Sequence, residues 1–288
     1  MDSKIREFRE DDIPELLEIA KTTWEGHDHL PGMLKHWMSN SNCNPFVMEL
    51  DGKVVSVANL KVIDQGKTGW MEGLRVHPDF REQGLAALMT NHIVDVASAM
   101  KLPKIRLVTA TENLAPRKLA ESVDMSIIGQ YSVFWKGWRR NFKWTYEVDS
   151  VKRMESSDVL EFAQSHPELL PNTTLIHLWD VFDLTRKNVD VIAKTAEFWS
   201  GEESSASLSS GFQHDTRYGP EWCFTIYATT PDAFLSNLSV HLNHARDLGI
   251  KILMCIHPPD FEEQYQNVKW LKRRNHGIQL LLFERVLS

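Results

Sequence analysis

The sequence predicts a mixed α/β fold in two domains. Three observations carry this. Short β-rich runs alternate with amphipathic helical stretches in the order β-α-α-β-β-β-α-β-α-β over the first half of the chain. A second βαβαβ pattern occupies the last third. Between them the pattern changes after Lys143 and passes through the low-complexity stretch SGEESSASLSSG, residues 200–211, which reads as a loop. The expected domains are 1–145 and 146–288.

Lys4-Ile5-Arg6-Glu7-Phe8 reads as a short strand. Asp11 or Asp12 caps a helix from about Ile13 to Thr22, with Pro14 tolerated in its first turn. The loop WEGHDHLPG, residues 24–32, leads to a second helix, Met33 to Met38. PFVMEL and VVSVANLKVI flank Asp51-Gly52, a strong hairpin signal. GWMEGLRV is the fourth strand, and a helix runs from Gln83 or Gly84 to about Met100. KIRLVTA (104–110) is a buried strand, APRKLAESV (115–123) a helix, and SIIGQYSVFWKG one or two strands. Farther on, EWCFTIYATT, IKILMCIH and IQLLLFERVL read as strands. The helices between them are ended by Gly249 and Gly277.

Composition narrows the function. The net charge of -7 over 288 residues gives no basic field for nucleic acid. Cys43, Cys223 and Cys255 are odd in number and far apart, so neither a disulfide framework nor a metal site is expected. No apolar run reaches membrane-spanning length, and the first twenty residues lack the apolar core of a secretory leader. The expected setting is the reducing cytoplasm, with no membrane partner. The oligomeric state is left open.

The stretch MEGLRVHPDFREQGLAALMTNHIVDVA, residues 71–97, carries the chemistry. A strand breaks at His77-Pro78-Asp79 and a helix begins after Arg81-Glu82-Gln83-Gly84-Leu85-Ala86. The first turn of a helix exposes unpaired N–H groups and a partial positive charge. Gly84 lets that backbone approach a bulky anion, and Ala86 keeps the surface low, as a pyrophosphate cradle requires. An ordinary strand-to-helix turn with a capping glycine would look the same locally.

Val76, Pro78, Phe80, Arg81, Gly84 and Ala86 together resemble motif A of the GCN5-related N-acetyltransferases (GNAT), and the element order is theirs. The resemblance covers roughly residues 3–140. It implies a GNAT-type mixed central sheet flanked by helices, followed by a smaller βαβαβ domain like a degenerate GNAT half without the pyrophosphate motif. It also implies acetyl-coenzyme A as co-substrate, with no metal. The pyrophosphate donors would be the backbone N–H groups of Arg81, Glu82, Gln83, Gly84, Leu85 and Ala86, and the pantetheine partners Leu74 and Val76. The acyl oxygen would meet an N–H near Leu74 or Arg75, and Asn113 keeps its family place. The tyrosine that protonates the departing thiolate in relatives is replaced by Ala120, and the Gly-Phe pair by Asp124-Met125. Tyr131 and Ser122 are candidate substitutes.

An ammonium must lose a proton before it attacks a thioester. Glu72, on the fourth strand, is the candidate base, acting through water as in some relatives. Strict alternation places Glu72, Leu74 and Val76 on one face and Arg75 on the other. HDHLP (27–31), Trp37, the stretch 52–76 and motif A resemble the histidine N-acetyltransferases in particular. That resemblance implies transfer to the α-amine of a free amino acid, histidine first. Other small amines, a protein amine, or a non-catalytic acyl-coenzyme A binder stand as alternatives. Trp24, His27, Asp28, His29 and Arg75 are candidate substrate contacts. Trp179, Trp199, Trp222 and Tyr227 read mainly as core.

Overall fold

The computed structural model describes residues 3–21, 23, 28–138, 151–170, 172–201, 206–216, 218–268, 271 and 276–287. The division expected at 145/146 falls outside these residues. The chain forms two units. The first comprises Met1–Thr109, Asn113–Ile127 and Leu282–Ser288, and the second Ala110–Glu112 and Ile128–Leu281.

The first unit is built from β1 (Ser3–Glu7), α1 (Ile13–Lys21), α2 (Leu30–Ser39), β2 (Cys43–Leu50), β3 (Lys53–Ile63), β4 (Thr68–Val76), α3 (Leu85–Ala99), β5 (Lys104–Ala110) and α4 (Leu114–Ser122). This is the element order read from the sequence. The helix start differs in detail. A 3-10 turn, Glu10–Asp12, runs into α1, and the Asp12 carboxylate accepts the Arg9 N–H (2.7 Å) and both ends of the Arg6 guanidinium (2.8 and 2.7 Å).

The strands lie in the order β1-β2-β3-β4-β5, antiparallel except for the parallel β4–β5 pair. On α1 and α2, apolar residues at helical spacing (Leu16, Ile19, Ala20; Leu30, Leu34, Trp37) pack with Val47, Val54 and Val57 in one buried cluster. On α3, Leu85, Met89, Ile93 and Ala97 repeat every four residues and are buried, and the helix packs on β3 and β4. With helices on both faces, β3 is buried without a break from Val54 to Leu60.

The second unit holds β6 (Ser126–Gly137), β7 (Lys152–Met154), α5 (Ser156–Ser165), β8 (Thr174–His177), β9 (Asp180–Asp183), α6 (Arg186–Ile192), β10 (Glu197–Ser200), β11 (Ser207–Thr216), β12 (Gly219–Ala228), α7 (Pro231–Asp247), β13 (Ile252–His257), α8 (Glu262–Asn267) and β14 (His276–Val286). From β7 onward the order is that of the first unit with a β8–β9 hairpin inserted. SIIGQYSVFWKG is one strand, β6.

The serine-rich stretch 200–211 is not all loop: β11 begins at Ser207. Its small side chains suit the face covered by α7. There Asn237 donates from Nδ2 to Ser207 Oγ (2.7 Å) and accepts at Oδ1 from Ser209 Oγ (2.8 Å), so buried hydroxyls replace apolar packing.

The last residues of β14 belong to the first unit. Arg106 on β5 is buried and donates from Nε to Glu284 Oε2 at 2.7 Å, with Asp64 Oδ2 3.7 Å from its Nη1. A guanidinium inside a sheet needs such partners, because an unpaired buried charge costs several kcal/mol, about 3–5 when one partner is removed.

Candidate active site

β4 and β5 pair only from Thr68–Trp70 to Lys104–Arg106. Beyond that ladder the β4 residues from Met71 to Val76 turn from buried to half-buried. This leaves a β4 backbone edge not occupied by β5.

The same stretch of β4 carries a bulge. Glu72 pairs with Asn59 and Arg75 with Val57, so two residues, Gly73 and Leu74, stand opposite Ala58. Gly73 has φ +72, and a Cβ there would lie 2.4 Å from a ring carbon of Trp37. Both the left-handed backbone and the close indole demand glycine.

The bulge shifts the side-chain phase by one residue. Glu72 therefore shares its face with Arg75, not with Leu74 and Val76, which corrects the alternation expected from the sequence. That face is the one covered by α1 and α2.

Glu72 is held there by two side chains. Trp37 Nε1 donates to its Oε1 at 2.7 Å, and Asn59 Nδ2 donates to the same oxygen at 2.8 Å. Arg75 grips Asp28 with both arms of its fork, Nε to Oδ2 and Nη2 to Oδ1, each at 2.9 Å, and donates from Nη1 to Leu74 O at 3.0 Å. Asp28 also accepts the Leu30 N–H at 3.0 Å, fixing the entry to α2.

Burial pushes the Asp28 carboxyl up. The hydrogen bonds and charge of Arg75, with the N–H groups of Leu30 and His29, outweigh this and hold it below its ordinary value. Arg75 and Asp28, both expected as substrate contacts, thus serve each other first and tie the α1–α2 connection to β4. Trp24 and His27 lie outside the described residues. The His29 carbonyl accepts the N–H groups of Gly32 and Met33 at the start of α2.

At the helix mouth Gly84 is the N-cap of α3 with φ +77, and a Cβ there would meet nothing within 4 Å. Glu82 is also left-handed, at φ +62, and Arg81 through Gly84 are exposed. Left-handed residues in such a turn curl consecutive N–H groups toward one side, the conformation of a backbone anion nest. Among the described residues the N–H groups of Glu82 to Ala86 meet no backbone acceptor. Open space, spare donors and the helix dipole suit a pyrophosphate. Arg81 Nε donates to Val76 O at 3.2 Å, bracing the nest against the end of β4. Its backbone N–H donates to Pro78 O at 3.2 Å, so Arg81, expected among the pyrophosphate donors, has that N–H already committed and the open donors begin at Glu82.

Asn113 is the exposed N-cap of α4, and its side chain makes no cap hydrogen bond. Ala120 on α4 is fully buried and supplies no acid. Asp124 adopts φ +57, so it fills a position that favours glycine. Ser122 Oγ donates to Leu119 O at 2.7 Å. Tyr131 belongs to the second unit, with its Oη 3.5 Å from Thr174 Oγ1.

The second unit has a helix after its own fourth strand, but the mouth of α7 is closed by its own residues. Thr230 caps the Ala233 N–H at 3.2 Å, Pro231 removes a donor at the first turn, and Asp232 adds a negative charge. Trp199 and Trp222 are buried around His241, whose imidazole burial and His244 push down to about 3. Tyr227 Oη accepts the Ile176 N–H at 2.7 Å, and Trp179, 40% exposed, lies against Trp135. Trp199, Trp222 and Tyr227 are buried in the core, as the sequence suggested, whereas Trp179, also expected there, is exposed. Among the described residues no group of His, Cys, Asp and Glu could hold a metal ion, and no helix is long and apolar enough to cross a membrane.

Sequence reasoning missed Asn59 as a member of the site and placed Trp37 only in the family likeness. A signal was present: Asn59 is a polar residue in the middle of the apolar run VVSVANL.

A bulged fourth strand parting from the fifth, with a glycine-started anion nest on the helix between them, defines a class. Residues 9–124 match the Acetyltransferase (GNAT) family, and that match supports an N-acetyltransferase with acetyl-coenzyme A as co-substrate. Within that class it is similar to a histidine N-acetyltransferase from Oreochromis niloticus, 23% identical over 242 residues, spanning 75% of this chain and 70% of that protein. A GCN5-related N-acetyltransferase from Sphaerobacter thermophilus shares the fold, with a TM-score of 0.65 at 10% identity over 99% of this chain and 95% of that one. So does a tandem GNAT protein from the clavulanic acid biosynthesis pathway, with a TM-score of 0.57 at 11% identity over 99% and 98%.

Proposed function

We propose that the first unit transfers acetyl from acetyl-coenzyme A to the α-amine of a free amino acid, with L-histidine the first acceptor to test. The observation that carries this is Glu72, fixed by Trp37 and Asn59 on the α1/α2 face of β4 beside the split from β5. The named relative supports the choice of amino acid. The nest from Glu82 to Ala86 would hold the pyrophosphate, Asn113 lies at the neighbouring helix start, and the β4 edge at Leu74 to Val76 would pair with the pantetheine arm. Acetyl-coenzyme A supplies the acyl group.

The residues of the chain do the rest. Glu72 draws in the ammonium and, through a water, takes its proton. An N–H near Leu74 or Arg75 stabilises negative charge on the acyl oxygen. With Ala120 at the usual tyrosine position, the thiolate takes its proton from solvent. Arg75 positions the α1–α2 connection through Asp28 and does not clamp the acceptor carboxylate directly. In this reading residues 1–145 carry the catalysis and residues 146–288 hold no coenzyme A site.

The test is release of free coenzyme A with a panel of free amino acids, small amines and a peptide amine. L-Histidine should release it fastest, and Glu72→Gln should lower kcat/KM about 10²-fold or more with acetyl-coenzyme A affinity unchanged. A different leading acceptor removes the histidine assignment. Parental activity in Glu72→Gln removes the base.

A further inference from the structure

Asn59 is fully buried, and its amide is only half used. Nδ2 donates to Glu72 Oε1 at 2.8 Å, while Oδ1 has no protein partner. A buried acceptor without a partner costs about 1–3 kcal/mol, so native proteins retain one where something else fills it. The sequence could have avoided the cost with valine or leucine, as at Val57 and Leu60 on the same strand.

The partner must be a donor. Amide geometry places Oδ1 within about 5 Å of the Glu72 oxygen that Nδ2 touches, a gap that one water spans with two ordinary hydrogen bonds. Trp37 Nε1 and Asn59 Nδ2 both bind Oε1, which fixes the carboxylate plane on the α1/α2 face.

We propose that Asn59 is a positioning residue for the relay water that links Glu72 to the acceptor ammonium. This rests on the reading of Glu72 as the base. The water gives one hydrogen to Asn59 Oδ1 and directs the other at the Glu72 carboxylate. Both hydrogens are then committed, and a lone pair is turned toward the incoming ammonium. The ammonium proton passes to the water oxygen as the water passes its own proton to Glu72. The water is regenerated, Glu72 becomes a carboxylic acid, and the amine is neutral. Its nitrogen then forms the C–N bond to the acyl carbon as the C–S bond breaks. The second nitrogen proton leaves to solvent and the thiolate takes one back. Asn59 thus sets the phase of the relay without touching the acceptor.

The test compares Asn59→Leu and Asn59→Asp with the parent and Glu72→Gln, using whichever free amino acid releases coenzyme A fastest in the panel. Calorimetric binding of coenzyme A reports an intact fold. Asn59→Leu should lose about tenfold or more in kcat, the loss of one hydrogen-bonded water, while the KM for acetyl-coenzyme A stays within about twofold. In Asn59→Asp a second carboxylate beside Glu72 should move the acid limb of kcat/KM upward by about one pH unit.

If Glu72→Gln is impaired but Asn59→Leu keeps parental kcat and Asn59→Asp keeps the parental pH profile, Asn59 is structural and the inference falls alone. If Glu72→Gln is fully active, the base assignment falls and this inference with it. Should Asn59→Leu fail to bind coenzyme A, the pH profile of the near-isosteric Asn59→Asp decides.

Discussion

Gly73→Ala is the sharpest probe of how the site is built. At φ +72 an alanine adopts left-handed backbone, which costs about 1 kcal/mol relative to glycine. Its Cβ would lie 2.4 and 2.5 Å from two ring carbons of Trp37, and the methyl of Met33 is 3.6 Å away. Real Cβ atoms do not approach so closely, so the indole must move. Trp37 is buried among α1, α2 and β3, where overpacking costs about 1–3 kcal/mol. The sum is a loss of about 2–4 kcal/mol in stability.

The same displacement breaks the 2.7 Å hydrogen bond from Trp37 to Glu72, so kcat should fall about tenfold or more. Gly84→Ala is the control. Its φ is +77, but a Cβ there meets nothing within 4 Å. It should cost about 1 kcal/mol and no more. Urea unfolding followed by far-ultraviolet circular dichroism, together with kcat for both variants, makes the comparison. Equal stability losses at the two glycines would refute the claim that Trp37 packs against the bulge.

Asp28→Asn should cost about 3 kcal/mol at pH 7 by leaving the Arg75 guanidinium half-paired. The Asp28 carboxyl is held below its ordinary value in the folded chain, so its contribution is present above that value and lost as pH falls through the folded one. The stability gap between parent and variant, measured by unfolding, should shrink below about pH 4 and stay constant from pH 5 to 7. Glu284→Gln should destabilise the first unit by about 2–3 kcal/mol, since it removes the carboxylate 2.7 Å from the buried Arg106 guanidinium; an unchanged unfolding midpoint would mean the carboxy-terminal strand is dispensable there. Tyr131→Phe should lower kcat by less than about tenfold, and a hundredfold loss with binding unchanged would make Tyr131 the thiolate acid.

The element order of the first unit was legible because helices such as α1 and α3 keep one apolar face, Leu16-Ile19-Ala20 and Leu85-Met89-Ile93-Ala97, and because β3 is a continuous apolar-rich run next to the Asp51-Gly52 turn. The helix mouth was legible because Gly84 punctuates it. The facing of the fourth strand was not. Alternation across Glu72-Gly73-Leu74-Arg75 looks regular, and only an inserted residue opposite Ala58 reverses it. Gly73 within a strand was the available clue, since isolated strand glycines often mark bulges.

The pairing of Arg75 with Asp28, 47 positions apart, follows from tertiary packing that no local pattern encodes. The same holds for Glu284, which neutralises a charge 178 positions away. Asn59 escaped because a polar residue in an apolar strand reads as a defect until its partner is known.

The central claim is that one acetyl-coenzyme A site exists per chain and that it lies on the Glu82–Ala86 nest. Calorimetric titration of acetyl-coenzyme A into the parent and into Gly84→Glu tests it directly. The glutamate side chain enters the open space at the mouth of α3 and places a carboxylate where the pyrophosphate would sit. The parent should bind with a stoichiometry of one, and folded Gly84→Glu should show no saturable binding. Two equivalent sites in the parent, or parental affinity in Gly84→Glu, would contradict the account.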